Sequence, residues 1–192
     1  MSVLPIRTVP DPVLRTPCRD VDPGRSGLHR LVSDMMETMD DVGGVGLAAP
    51  QVGVGLRLFT FGVGPDRGHV INPVLTTSGA LVNEPGEGCL SVPGLHYQLE
   101  RFDEATVTGV DVDGEPVTVH GTGLLARCLQ HEVDHLGGTL FVDRLDGEDR
   151  RDARRRLRAP GYADITDQTH ARRSTTVTSS FGTVVVDTPG GA

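Results

Sequence analysis

The chain has 192 residues, 18 basic against 26 acidic side chains, a formal net charge of -8 and 3 cysteines. That length suits one domain with a sizeable core and is short for two. The negative charge argues against DNA or anionic membrane as a partner, and an odd, scattered cysteine set argues against a disulfide framework. The start Met1-Ser2-Val3-Leu4-Pro5 lacks the basic and apolar stretches of a signal peptide, and no apolar run approaches membrane-spanning length, so the expected location is cytoplasmic.

Leu28, Leu31, Val32, Met35, Met36 and Met39 repeat at helical spacing, predicting a first helix over residues 26–41 with Ser26 as its N-cap. Gly44-Val45-Gly46-Leu47-Ala48-Ala49-Pro50-Gln51 follows. It superficially fits the dinucleotide fingerprint G-x-G-x-x-G/A, but that pattern needs a strand before it and a helix opening within it. Here a helix precedes, which excludes the nucleotide reading. A plain turn into a strand over residues 57–63 explains the glycines and leaves Gln51 unexplained. Further on, Asp113-Gly114 marks a turn between strands over residues 105–112 and 116–120. A second helix is expected over residues 123–136, stopped by Gly137-Gly138. A third carries Glu148 and Asp149 in its first turn and Arg154, Arg155, Arg156 and Arg158 at its end, charges that complement the helix dipole, and Pro160-Gly161 ends it. The organisation is α+β with short strands and no internal repeat.

The second helix contains His131-Glu132-Val133-Asp134-His135. One helical turn separates the two imidazoles, so both reach a single ion, and Glu132 sits beside them to handle protons on a bound water. The third ligand is open at this point. In the extended zinc-protease pattern a further His would stand where this chain has Phe141, although Gly138 matches that pattern's glycine. Asp143, Asp146 and Glu148 lie in a polar stretch that reads equally well as a solvated helix start. Cys89 is the stronger candidate: in Glu87-Gly88-Cys89-Leu90-Ser91 its small neighbour lets backbone approach a ligand, and a thiolate with two imidazoles leaves a coordination position for water. The bland alternative is a buried small hydrophobe. Cys128 shares the helix face of His131, but three ligands from one helix would crowd one ion, so it reads as pocket wall.

Together these segments resemble the peptide deformylases, whose motifs are G-Φ-G-Φ-A-A-x-Q (Φ apolar), E-G-C-Φ-S and H-E-Φ-D-H. All three are complete and in family order. The likeness extends over most of residues 4–145, including Ile71-Asn72-Pro73 and Phe141-Val142-Asp143-Arg144. The resemblance implies short mixed or antiparallel sheets around a central metal-binding helix, and hydrolytic removal of the N-formyl group from the methionine of new polypeptides, releasing formate. It implies one divalent ion on Cys89, His131 and His135, with Fe2+ expected and Zn2+ or Ni2+ as alternatives, since Cys and His ligands suit several of these metals. It further implies Glu132 as the base, the Leu90 N–H and Gln51 amide on the oxyanion, and N-formylmethionyl nascent peptides as partners. The peptide would add as a strand at Val45 and Gly46, its methionine entering a pocket of Val45, Leu124, Cys128 and the His131 ring. Arg127 stands where many relatives carry an apolar residue, and is expected at the pocket's outer rim with its head in water.

The resemblance supports a catalytic domain over residues 1–160 and leaves 161–192 as a tail without assigned function. In the tail Thr183-Val184-Val185-Val186 could add an edge strand, and Pro189-Gly190-Gly191-Ala192 looks frayed. The arginines between Arg150 and Arg158 have two readings, a solvated helix end or a ribosome contact. Two rival functions are a related amidohydrolase acting on a small acylated molecule, favoured by Arg127 and the tail, and a non-catalytic metal-binding or ribosome-associated protein, against which Glu132 and Gln51 speak.

Overall fold

The first helix of the computed structural model, which describes residues 2–22, 24–162 and 165, is α1 (Leu28–Asp41). Its apolar stripe of Leu28, Val32, Met35 and Met39 is buried, as an amphipathic helix at a core requires. The N-cap is Gly27 and not Ser26: its φ of 81° is left-handed backbone open to glycine, and its carbonyl accepts the Leu31 N–H at 3.0 Å.

Strand β1 (Gly46–Ala48) leads through a 3-10 turn (Ala49–Val52) to β2 (Leu58–Val63) and β3 (Asp66–Val82). Short β4 (Glu87–Gly88) and β5 (His96–Tyr97) pair only with each other, and the hairpin of β6 (Arg101–Val110) and β7 (Pro116–Thr122) follows. The main sheet is antiparallel in the order β1-β2-β3-β6-β7. Its strands are not all short, since β3 runs for 17 residues. Pro73 and Gly79 would each break a flat strand, but the register against β6 shifts between Ile71 and Val74 and again between Ser78 and Leu81. Both residues thus sit at bulges that bend one continuous strand.

Helix α2 (Gly123–Leu136) has the bounds its sequence predicts. It lies on the sheet, and Leu125, Ala126, Cys128, Leu129 and Leu136 share one core with Phe59, Phe61, Val70, Ala105 and Val107. Each fully buried leucine, valine or phenylalanine among them contributes about 1.5–3 kcal/mol. Beyond Gly137 the chain turns at Gly138 (φ 75°), where a Cβ would stand 2.8 Å from the Arg15 carbonyl oxygen. A single turn, α3 (Phe141–Arg144), precedes α4 (Gly147–Leu157). A second core joins Leu14, Cys89, Val92, Leu95, Tyr97, Leu99, Phe141 and Tyr162. Tyr162, two residues past the boundary expected at residue 160, is buried and its hydroxyl donates to the Pro93 carbonyl at 3.1 Å. The segments Thr183–Val186 and Pro189–Ala192 lie outside the described residues. Among the described residues no helix is long and apolar enough to cross a membrane.

Candidate active site

Helix α2 carries His131 and His135 one turn apart, with ring centroids 4.9 Å apart and planes at 77°. Cys89 follows β4 in a tight turn closed by the Val92 N–H donating to its carbonyl at 3.0 Å. The ligand atoms of Cys89, His131 and His135 all lie within 4.8 Å of one another, and all three residues are buried. Donors bound tetrahedrally at roughly 2.0–2.3 Å from an ion stand about 3.3–3.8 Å apart, so donors that converge within 4.8 Å need to close in by roughly 1–1.5 Å at most to hold one ion. The Cys89 sulfur is 3.2 Å from His135 Nε2 and also receives the Ser91 N–H at 3.4 Å.

His131 Nδ1 is bonded to Glu87 Oε1 at 2.6 Å, which commits that nitrogen and leaves Nε2 as the one that could face an ion. Burial disfavours charge on both rings. At His131 Glu87 and Cys89 together outweigh burial and raise the pKa, whereas at His135 burial and the neighbouring His131 lower it. Burial would also raise Glu87, but His131 and Arg101 hold its carboxyl well below the usual range.

Glu132 is 1% exposed, and its Oε2 has no hydrogen-bond partner among the described residues. Burial pushes its carboxyl up to about 7, against the pull of His131; a cation on the adjacent histidines would act in the lowering direction. Strand β1 passes directly beside it. Gln51, in the 3-10 turn after β1, accepts the Ala48 N–H through Oε1 at 2.8 Å, which turns Nε2 toward Ser91 Oγ at 3.3 Å and Cys89 Sγ at 3.7 Å. Leu90 is buried next to Cys89. Cys128 Sγ donates to the Val45 carbonyl at 3.2 Å, so α2 touches the strip at Val45 and Gly46, and half-buried Leu124 stands one turn before Cys128.

Arg127 departs from expectation. It is 1% exposed and turned inward, donating to the Leu99 carbonyl at 2.7 Å, the Val82 carbonyl at 2.9 Å and Glu87 Oε2 at 3.3 Å. Its head is therefore not at a wet pocket rim, because three acceptors inside the protein replace water. Asp143 is likewise no ligand: it accepts the Leu140 N–H at 2.8 Å and pairs with Arg15. Sequence reasoning missed the buried charge network behind the histidines. Glu87 pairs with Arg101 at 2.7 Å, Arg101 with Asp134 at 2.7 Å, and Asp134 with Arg144. Glu87 and Asp134 appeared only as letters of motifs, and no local signal in their polar surroundings named their partners.

A buried cysteine and two imidazoles, with a carboxylate between the histidines whose Oε2 has no partner among the described residues, suit a metal-dependent hydrolase. The polypeptide deformylase model matches residues 3–151, and the chain belongs to that family. It is 50% identical over 166 residues to a peptide deformylase of Acidothermus cellulolyticus, covering 86% of this chain and 92% of that one. It is 52% identical over 165 residues to one from Parafrankia sp., covering 85% and 90%. Among solved structures it is similar to a peptide deformylase from Legionella pneumophila, with a TM-score of 0.77, 40% identity, and coverage of 88% of this chain and 98% of that one. The family's activity is removal of the N-formyl group from N-terminal methionine, and that is the reaction this chain performs.

Proposed function

We propose that Cys89, His131 and His135 hold one ferrous ion, with zinc and nickel as the alternatives, and that the surrounding residues divide the work of deformylating nascent peptides in the cytoplasm. The single observation carrying this is the convergence of three ligand atoms within 4.8 Å beside the buried carboxylate of Glu132. When bound, the ion supplies Lewis acidity, activating a water and polarising the formyl oxygen.

Glu132 takes the proton of the attacking water and returns it to the departing amine. Gln51 Nε2 and the Leu90 N–H donate to the oxygen that becomes negative when the formyl carbon turns tetrahedral. The peptide lies as an added strand along Val45 and Gly46, and its methionine packs among Val45, Leu124, Cys128 and His131. With Arg127 bonded inward, the rival that used it to receive a specialised substrate loses that support.

Anaerobic purification with metal analysis, followed by turnover of formyl-Met, formyl-Gly and formyl-Asp peptides, tests the reading. Burial of a methionine side chain contributes roughly 1.5–3 kcal/mol, so kcat/KM for Met exceeds that for Gly by about tenfold to a hundredfold. Asp is poorer still, since its charge loses water without a partner. Equal rates on Met and Asp would sink it.

Ribosome contact through the helix between Arg150 and Arg158 is a second partner reading. Arg150, Arg151, Arg154 and Arg158 are exposed and make no side-chain ion pair among the described residues, whereas Arg155 and Arg156 share Asp152. The first two lie in the N-terminal half of α4, where the helix dipole disfavours cations. Sedimentation with ribosomes, lost in a variant carrying Arg150→Gln and Arg154→Gln, is the expected result; unchanged sedimentation would return these side chains to solvent.

A further inference from the structure

We infer that Arg127 is a positioning residue for the metal centre: it clasps the histidine helix to the excursion that brings Cys89, and it completes the cage around the carboxylate that orients His131. The inference rests on the reading of Cys89, His131 and His135 as ligands.

The observations are geometric. Between β3 and β6 the chain leaves the main sheet, and this excursion carries Glu87, Cys89, Leu90 and Ser91. Val82 is the last residue of β3 and Leu99 lies shortly before β6. Arg127 donates to the carbonyls of both, at 2.9 and 2.7 Å. One side chain from α2 therefore ties down both ends of the excursion, and His131 projects from the same helix one turn later.

Glu87 supplies the second half. A carboxylate offers about four lone-pair sites, and each oxygen here has two donors. Oε1 accepts from His131 Nδ1 at 2.6 Å and from Arg101 at 2.7 Å. Oε2 accepts from Arg101 Nε at 3.0 Å and from Arg127 at 3.3 Å. Without Arg127, Oε2 keeps one donor, and the carbonyls of buried Leu99 and half-buried Val82 lose the bonds that tie them to α2. The planar guanidinium serves these three acceptors from one plane; a lysine ammonium has no such fork. The Arg101 side chain reaches Glu87 and Asp134, and its backbone pairs with Val82 where β6 begins; it therefore joins the two ends of the excursion to each other, whereas Arg127 ties them to α2.

The test compares the parent with Arg127→Met, Arg127→Lys and a control, Gln130→Met. Gln130 is also buried on α2 and bonds the Phe102 carbonyl at 2.8 Å, yet it has no contact with Glu87. Metal-depleted proteins are titrated with Co(II) against a competing chelator, the cobalt absorption spectrum is recorded, and the thermal midpoint of the metal-free form is measured. The parent should bind one Co(II) with a thiolate band that Cys89→Ala abolishes; failure there overturns the ligand reading and the inference with it.

Given that result, Arg127→Met should lose about tenfold to a hundredfold in Co(II) affinity, the range for disturbed partners of metal ligands, with a shifted spectrum. At saturating metal its kcat should fall while KM stays near the parent's. Arg127→Lys should be intermediate. Gln130→Met should lower the thermal midpoint and keep parental affinity and spectrum. Parental affinity and spectrum in Arg127→Met, accompanied only by a lower midpoint, would reduce Arg127 to a packing residue. If Arg127→Met does not fold, the same parental result in Arg127→Lys overturns the inference.

Discussion

Gly46 has no room for a side chain, because a Cβ there would stand 2.3 Å from Glu132 Oε1 and 2.8 Å from Cys128 Sγ. Gly46→Ala is expected to push the base out of place and lower kcat/KM by roughly the 10²–10⁴-fold that a positioned acid-base group contributes, with an unchanged far-UV spectrum; rates near the parent's would show that Glu132 need not stand where it does. Glu132→Ala goes further by removing the proposed base, which neighbours the proposed ligands without being one, so bound metal should persist while turnover is nearly lost. Metal analysis with a deformylation assay separates the two quantities, and substantial residual activity would take the proton transfers away from Glu132. The two buried cysteines divide in the same way. Cys89→Ala should lose metal affinity, whereas Cys128→Ala, whose thiol bonds the Val45 carbonyl, should keep it; the opposite pattern in chelator competition would exchange their assignments. At this scale the proximity of Cys89, His131 and His135 was legible because each motif is a local string. Glu87 as the partner of His131 was not, since 44 positions separate them, and no local pattern announces a contact made only by folding.

Among the elements, α2 was readable to its ends: apolar spacing defines its body and two glycines stop it. Strand β3 was not, because Pro73 and Gly79 punctuate most strands and only pairing with β6 shows them as bulges. The turn after β6 is held by Asp111, whose carboxylate accepts the Asp113 and Glu115 N–H groups at 2.9 Å, and by His69 on β3, whose Nε2 accepts the Val112 N–H at 2.9 Å. That bond requires neutral imidazole. Burial lowers the His69 pKa, and Asp111 and Asp113 only partly restore it. The unfolded chain therefore binds this proton more readily than the folded one, so the contribution to stability is complete above the ordinary imidazole pKa of about 6.5 and declines as pH falls toward the lowered folded value. Denaturant midpoints between about pH 7 and pH 5 should fall less steeply for His69→Gln than for the parent; identical slopes would mean that His69 does not report on this turn.

For the whole molecule, the packed unit includes Tyr162, which anchors the end of α4 to the Pro93 carbonyl and joins the core that holds Cys89. Removal of residues 166–192 should leave deformylation and the thermal midpoint near the full chain's, whereas Tyr162→Ala should lower the midpoint, with about 3–5 kcal/mol typical for a buried aromatic. Loss of activity on truncation alone would give the tail a part in catalysis or folding. The two substitutions of scale behave differently because the tail contributes no motif, while Tyr162 has a core to lose.

By itself the sequence determined the chemistry. Two imidazoles one helical turn apart, a carboxylate between them and a glycine-flanked cysteine point to an ion and a base, because ligand type and helical periodicity are local properties. Tertiary structure decided what holds those groups in place. It turned Arg127 from an expected pocket rim into an interior bond to Glu87, Val82 and Leu99, and it made one bent strand of a stretch that contains a proline. The physical reason is that a buried charge or a strand bulge is tolerated only when distant segments supply its partners, and those partners are chosen by the fold.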